Sequence, residues 1–211
     1  MILITSILVL LSIFILKISL SKKYFAIFLN FVFMKQKTFE KGGKKVILLG
    51  MIHVANERFY QKLKNDFSNF KGLTLNEGVK DSQGLLTTKA SYQFISKVVG
   101  LSMQTKDLFP NQVSGDIDVS ELDDESIQKM NKLGKIINNI EKLISGEVQI
   151  KQALDGKKVL DENFKKQLLQ FRNQRLIGKI KENITNDKDI LIPWGAAHLP
   201  EIEDFLKDQG Y

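Results

Sequence analysis

The chain has 211 residues, 43% of them hydrophobic and 26% charged, enough to build one domain around a sizeable core. It contains no cysteine, which excludes disulfides, thiolate metal sites and cysteine nucleophiles. The net charge of +7 comes from lysines spread along the chain without an arginine cluster or interleaved aromatics, so no nucleic-acid partner is expected.

From the N-terminus, Met1 to Leu16 is uncharged and Ile2 to Leu20 carries only Lys17. As a helix this run would span about 28 Å, close to the thickness of a bilayer core. The flanking lysines, Lys22, Lys23, Lys35 and Lys37, all follow the run, and no Ala-x-Ala cleavage signal appears. The expectation is an uncleaved single-pass anchor over residues 1–23, with the domain at 24–211 on the cytoplasmic side by the positive-inside rule. Tyr24 to Met34 is apolar but short for a span and reads as membrane-proximal, running into a first strand. Met34 is an alternative start that would leave the anchor out.

Gly42-Gly43, between two β-prone runs, predicts a hairpin turn. Val46 to Leu49 predicts a buried strand. Phe59, Leu63, Phe67 and Phe70 follow at helical spacing, with Asn56 as N-cap. Leu73 to Leu75 predicts a short strand with Glu77 just beyond it. Leu86 to Leu101 reads as helical. Gln112 to Leu122 reads as a loop carrying Asp116 and Asp118, whose role the sequence leaves open between capping the next helix and a part in the site, with an N-cap near Ser120 or Asp123. Ser126 to Ile144 and Asp161 to Ile184 predict long helices, Asp189 to Trp194 a strand, and Pro200 to Gly210 a terminal helix closed by glycine. Strands alternating with helices give an α/β domain with a mixed central sheet and flanking helices.

The two histidines of the chain occupy the same local setting. His53 follows Gly50 and His198 follows Gly195, each three residues on and each after an apolar run. With Glu77 they lie beyond the C-terminal ends of predicted strands, the edge where open α/β sheets bind ligands. Glycine at minus three would let the chain bend and let backbone approach a ligand. Two imidazoles and a carboxylate suit a divalent metal with an open position for water, and manganese, cobalt and zinc all accept such mixed N/O donors. The same residues suit acid–base catalysis without metal.

These segments resemble the TraB/GumN/TIKI family: LLGMIHVANERFY, then LNEG, GDIDVSEL, FRNQRLIGKI and finally IPWGAAHLPEIEDFLKDQGY. The resemblance implies a fold related to erythromycin-esterase-like hydrolases. Animal members look like membrane-tethered, metal-dependent peptidases acting on secreted signalling proteins, and the TraB branch is associated with shutting off a peptide pheromone response. It implies His53, Glu77 and His198 as metal-holding and catalytic residues, Arg172 as a stabiliser of developing negative charge, and Asn173 as its motif neighbour. Met51 stands where the family commonly has a small residue. The family usually continues into a further strand beyond the position of Tyr211. The expected function is a membrane-anchored, metal-dependent peptidase acting on a peptide or small protein. The alternatives are a metal-free esterase-like hydrolase and a non-catalytic membrane regulator that binds a peptide.

Overall fold

The computed structural model describes residues 36–87, 101–144 and 162–211. The expected anchor at 1–23, the apolar run Tyr24 to Met34 and residues 88–100 of the helix expected from Leu86 lie outside them. Among the described residues, no helix is long and apolar enough to cross a membrane.

Strand β1 (Gln36–Lys41) and strand β2 (Lys44–Met51) form an antiparallel hairpin. Gly42 and Gly43 make its turn at φ +60° and +80°, the consecutive positive angles that a type I′ hairpin requires. The chain continues through β3 (Val54–Ala55), α1 (Glu57–Phe67), β4 (Leu73–Asn76), β5 (Ser102–Met103) and β6 (Gln112–Ser114). A 3₁₀ turn (Val119–Glu121), α2 (Asp124–Ile144), α3 (Glu162–Asn183), β7 (Ile190–Gly195) and α4 (Leu199–Asp208) complete it.

Five strands form one mixed sheet in the order β1-β2-β7-β4-β6. The β2–β7, β7–β4 and β4–β6 pairs are parallel and only β1 runs antiparallel. β3 and β5 form a separate two-stranded ribbon. The two central strands, β2 and β7, are apolar on both faces because helices cover both. On one face Val46, Leu48, Ile190, Ile192 and Trp194 meet Leu176 and Ile180 of α3 and Ile202 and Leu206 of α4. On the other, Leu49, Met51 and Leu191 meet Phe59, Tyr60, Leu63 and Phe67 of α1. Asn56 caps α1 as expected, its side chain accepting from the Arg58 N–H at 2.9 Å. Met51 packs into this α1-side core, so the departure from a small residue is taken up by packing against the helix.

Two expectations change. Gln112 to Leu122 does not begin as a loop: Gln112–Ser114 is the strand β6, pairing Leu75 with Val113. Three residues with Val113 48% exposed carry too little periodicity to signal a strand. Gly50 does not make a bend either. It lies inside β2 opposite Trp194, and β2 continues through Met51 before the chain turns at Ile52 and His53.

Ile192 is fully buried at the centre of the sheet. Ile192→Ala is expected to cost about 2–5 kcal/mol, read as a lower urea midpoint at unchanged m-value. A loss below about 1 kcal/mol would mean that this face of the sheet is not packed as described.

Candidate functional site

The parallel strands aim their C-terminal ends at one edge of the sheet, and the expected site residues meet there. Glu77 directly follows β4, His53 follows β2, and His198 follows β7 in the turn that opens α4. Arg172 comes from α3, which crosses the face beneath them.

Glu77 is the hub, with its side chain 6% exposed. Its Oε1 accepts from Arg172 Nη2–H at 2.8 Å. The same oxygen lies 3.6 Å from His198 Nε2 and 3.9 Å from His53 Nε2. Its Oε2 accepts the Gly195 N–H at 2.6 Å. A Cβ at position 195 would stand 3.3 Å from that oxygen, so Gly195 is there for close approach of backbone to carboxylate. His198 reaches the hub because its own N–H closes a turn onto the Gly195 carbonyl at 2.9 Å.

Asp116, whose role the sequence leaves open, does not cap a helix. Its side chain is fully buried and grips the guanidinium, accepting from Arg172 Nε–H at 3.0 and 3.2 Å and from Nη2–H at 2.6 Å. Backbone N–H groups of Ile117 and Gly78, each at 2.9 Å, satisfy its remaining lone pairs. Asp118 is the residue that caps, closing a capping box with Glu121 over the 3₁₀ turn, and Asp123 accepts the Ser126 N–H at the start of α2. Burial works against the charge on Arg172, but the hydrogen bonds and fields of Asp116 and Glu77 outweigh it and hold its pKa above the ordinary value. Arg175, one turn along α3, is 41% exposed and meets Glu121 at 3.5 Å; it is the surface arginine of the pair.

Asn173 and Glu201 complete the arrangement. Asn173, 1% exposed, places its Oδ1 2.5 Å from His198 Nδ1, and its Nδ2–H donates to Glu201 Oε2 at 2.5 Å. The His198 ring stands edge-on to Trp194 at 5.0 Å, and the Trp194 indole N–H donates to the Leu75 carbonyl at 2.9 Å. Burial is the main cause that lowers the His198 pKa from 6.5, with the Arg172 charge acting in the same direction; Glu77, Asp116 and Glu201 oppose it. The balance favours the neutral ring over the imidazolium. His53 has a side chain 40% exposed and forms the solvent side of the cluster. The sequence pointed to His53, Glu77, Arg172 and His198, and the structure brings all four together. It did not point to the roles of Asp116, Asn173 and Glu201. The adjacent Arg172-Asn173 pair was the available signal, since neighbouring helical residues project about 100° apart and can serve two partners.

The donor set suits a divalent metal, but the arrangement does not. Arg172 already occupies the Glu77 oxygen that both imidazoles face, placing a fixed cation where a metal would need that ligand. Among the described residues, no group of three His, Cys, Asp or Glu side chains is placed to hold a metal ion. Two surface cavities, of about 540 and 370 Å³, open at the other end of the strands around Thr185 and Asp187, away from the imidazoles.

Arg172→Leu would strand two buried carboxylates and is expected to cost about 3–5 kcal/mol. The double variant Arg172→Leu/Asp116→Asn should recover part of that loss, read from urea midpoints as a coupling energy. The lowered pKa of His198 fixes a second sign. The folded ring binds fewer protons than the unfolded one, so its contribution to stability is full above pH 6.5 and is lost as pH falls from there through the folded value. His198→Gln should flatten that acid decline; an unchanged slope would place the lost proton-linked stability elsewhere.

A model of the TraB/PrgY/gumN family matches residues 89–211. Arg172, Asn173, His198 and Glu201 fall inside the match, and His53 and Glu77 precede it. No curated protein matches the chain, and no solved structure matches it. The match covers more than half of the 211 residues, and the chain belongs to the TraB/PrgY/gumN family.

Proposed function

We propose that the chain is a hydrolase acting on a peptide or small protein, with His198 as general base, His53 as general acid and Glu77 as the carboxylate between them. One observation carries this reading: both imidazoles turn Nε2 toward the same Glu77 oxygen, at 3.6 and 3.9 Å. A neutral His198 accepts a proton from water attacking a carbonyl carbon. The imidazolium so formed lies beside Glu77, whose charge favours it over the neutral ring. His53, on the exposed side, is placed to give a proton to the leaving amine. Arg172 first holds Glu77 and Asp116 in place; in this reading its positive charge also favours an oxygen gaining negative charge.

The second reading is the metal-dependent peptidase. The donor types favour it, since His53, Glu77 and His198 are the residues that would hold manganese, cobalt or zinc. A bound metal would supply a water acidified at neutral pH. It requires Arg172 to release Glu77 Oε1. The apolar run at 1–23 supports placing either enzyme at a membrane, with the domain on the cytoplasmic side. A non-catalytic membrane regulator that binds a peptide uses the same surface without turnover.

The test is hydrolysis of a peptide library by the full chain in detergent, with and without chelator. His198→Ala is expected to lower kcat/KM by about 10²–10⁴-fold, and the acid limb of the kcat/KM profile should fall below pH 6.5. Chelator-resistant turnover supports the acid–base reading. Loss on chelation with recovery in manganese, cobalt or zinc establishes the metal reading. Saturable peptide binding with intact product would sink both in favour of the regulator.

A further inference from the structure

Glu201 sits in the first turn of α4, where an acidic residue ordinarily needs no explanation beyond the helix dipole. Its carboxylate nevertheless leaves that helix and bonds Asn173 on α3, 28 residues away in sequence. Asn173 is buried and bonds the equally buried His198 on its other side. Each link in this chain of three constrains the next. A carboxylate can only accept, so Glu201 must receive the N–H₂ end of the Asn173 amide. The amide oxygen is then turned to His198. An amide oxygen also can only accept, so Nδ1 of His198 must carry the hydrogen, and a neutral imidazole then presents a bare lone pair at Nε2. That lone pair faces Glu77 Oε1 at 3.6 Å.

We propose that Glu201, acting through Asn173, is a positioning residue that fixes the proton of His198 on Nδ1 and keeps Nε2 free to accept. Without it the Asn173 amide has no fixed end, and the Glu77 oxygen 3.6 Å from Nε2 would draw the hydrogen to that nitrogen. The consequence for turnover rests on the hydrolase reading above, in which Nε2 accepts a proton from water. The tautomer itself rests only on the hydrogen-bond chain.

The test reverses the polarity of position 201. Glu201→Lys replaces an acceptor with a donor, so the Asn173 oxygen should turn toward the lysine and offer its N–H₂ to His198 Nδ1. The ring would then move its proton to Nε2. Glu201→Gln keeps an oxygen that can accept from Asn173 and should retain the wild-type tautomer. The readout is ring ¹⁵N NMR of histidine-labelled full chain at about pH 8, above the imidazole range. The chain has two histidines, and His53→Gln assigns their signals. The expected result is Nδ1–H in wild type and Glu201→Gln, and Nε2–H in Glu201→Lys, with unchanged backbone amide spectra reporting an intact fold. Turnover by Glu201→Lys should fall by about 10²–10⁴-fold, the scale seen when a catalytic imidazole is held in the wrong tautomer. Nε2–H in wild type, or Nδ1–H retained in Glu201→Lys, overturns the proposal. A switched tautomer in a chain that hydrolyses nothing leaves the proposal standing and removes the hydrolase reading instead.

Discussion

The guanidinium of Arg172, clamped between Asp116 and Glu77, is the contact on which the site depends. Three separate segments end there: the residue after β4, the residues after β6, and the middle of α3. None of the three groups could be buried alone, because an unpaired buried charge costs several kcal/mol. Together they are satisfied, with Asp116 taking two backbone N–H groups as well as the arginine. The clamp is consistent with one rotation of α3 about its own axis. With Arg172 turned toward β4 and β6, Asn173 is carried round toward α4, where His198 and Glu201 lie. Leu176 and Ile180 then fall on the sheet. The ion pair and the apolar contacts agree on one helix azimuth, and that azimuth brings Asn173 to Nδ1 of His198.

Two carboxylates share one guanidinium in this cluster, so the local charge is negative even with Arg172 fully paired. Burial and the arginine together keep His198 neutral at rest. The same negative surplus would favour the imidazolium once a proton arrives. In the proposed hydrolase, an environment that resists charge in the ground state and compensates it as it develops would serve differential stabilisation of a transition state. Gly195 contributes by lending its N–H to the second Glu77 oxygen, so both oxygens of the hub carboxylate are hydrogen-bonded.

The fold was largely legible because its strongest signals are local. The Gly42-Gly43 turn, the Asn56 cap and the apolar runs of β2 and β7 each follow from a few adjacent residues, and the α/β alternation follows from their order. The strand β6 was not legible, since three polar-flanked residues pair only because β4 is already in place. The site was half legible. Position after a strand marked His53, Glu77 and His198, and resemblance marked Arg172. Asp116 had no role assigned by the sequence, because the capping residues around it offer a local explanation as well. Its actual partner is 56 residues away, and no local pattern encodes such a pairing. Glu201 was hidden the same way, behind a role that its place in α4 already explained.

The two Gly-x-x-His segments look alike in sequence but do unlike things. Gly50 lies within β2 opposite Trp194, and the chain beyond it leaves His53 with 40% of its side chain exposed. Gly195 ends β7 against Glu77, and the turn it accepts folds His198 under α4 with 5% exposed. The inner imidazole is held on one nitrogen by Asn173 and shielded by Trp194; the outer one faces solvent. A base must keep its lone pair and exclude competing protons, while an acid must exchange its proton with water after each turnover. The shared spacing brings both rings to one carboxylate, and in the proposed hydrolase their unequal burial would assign the base to His198 and the acid to His53.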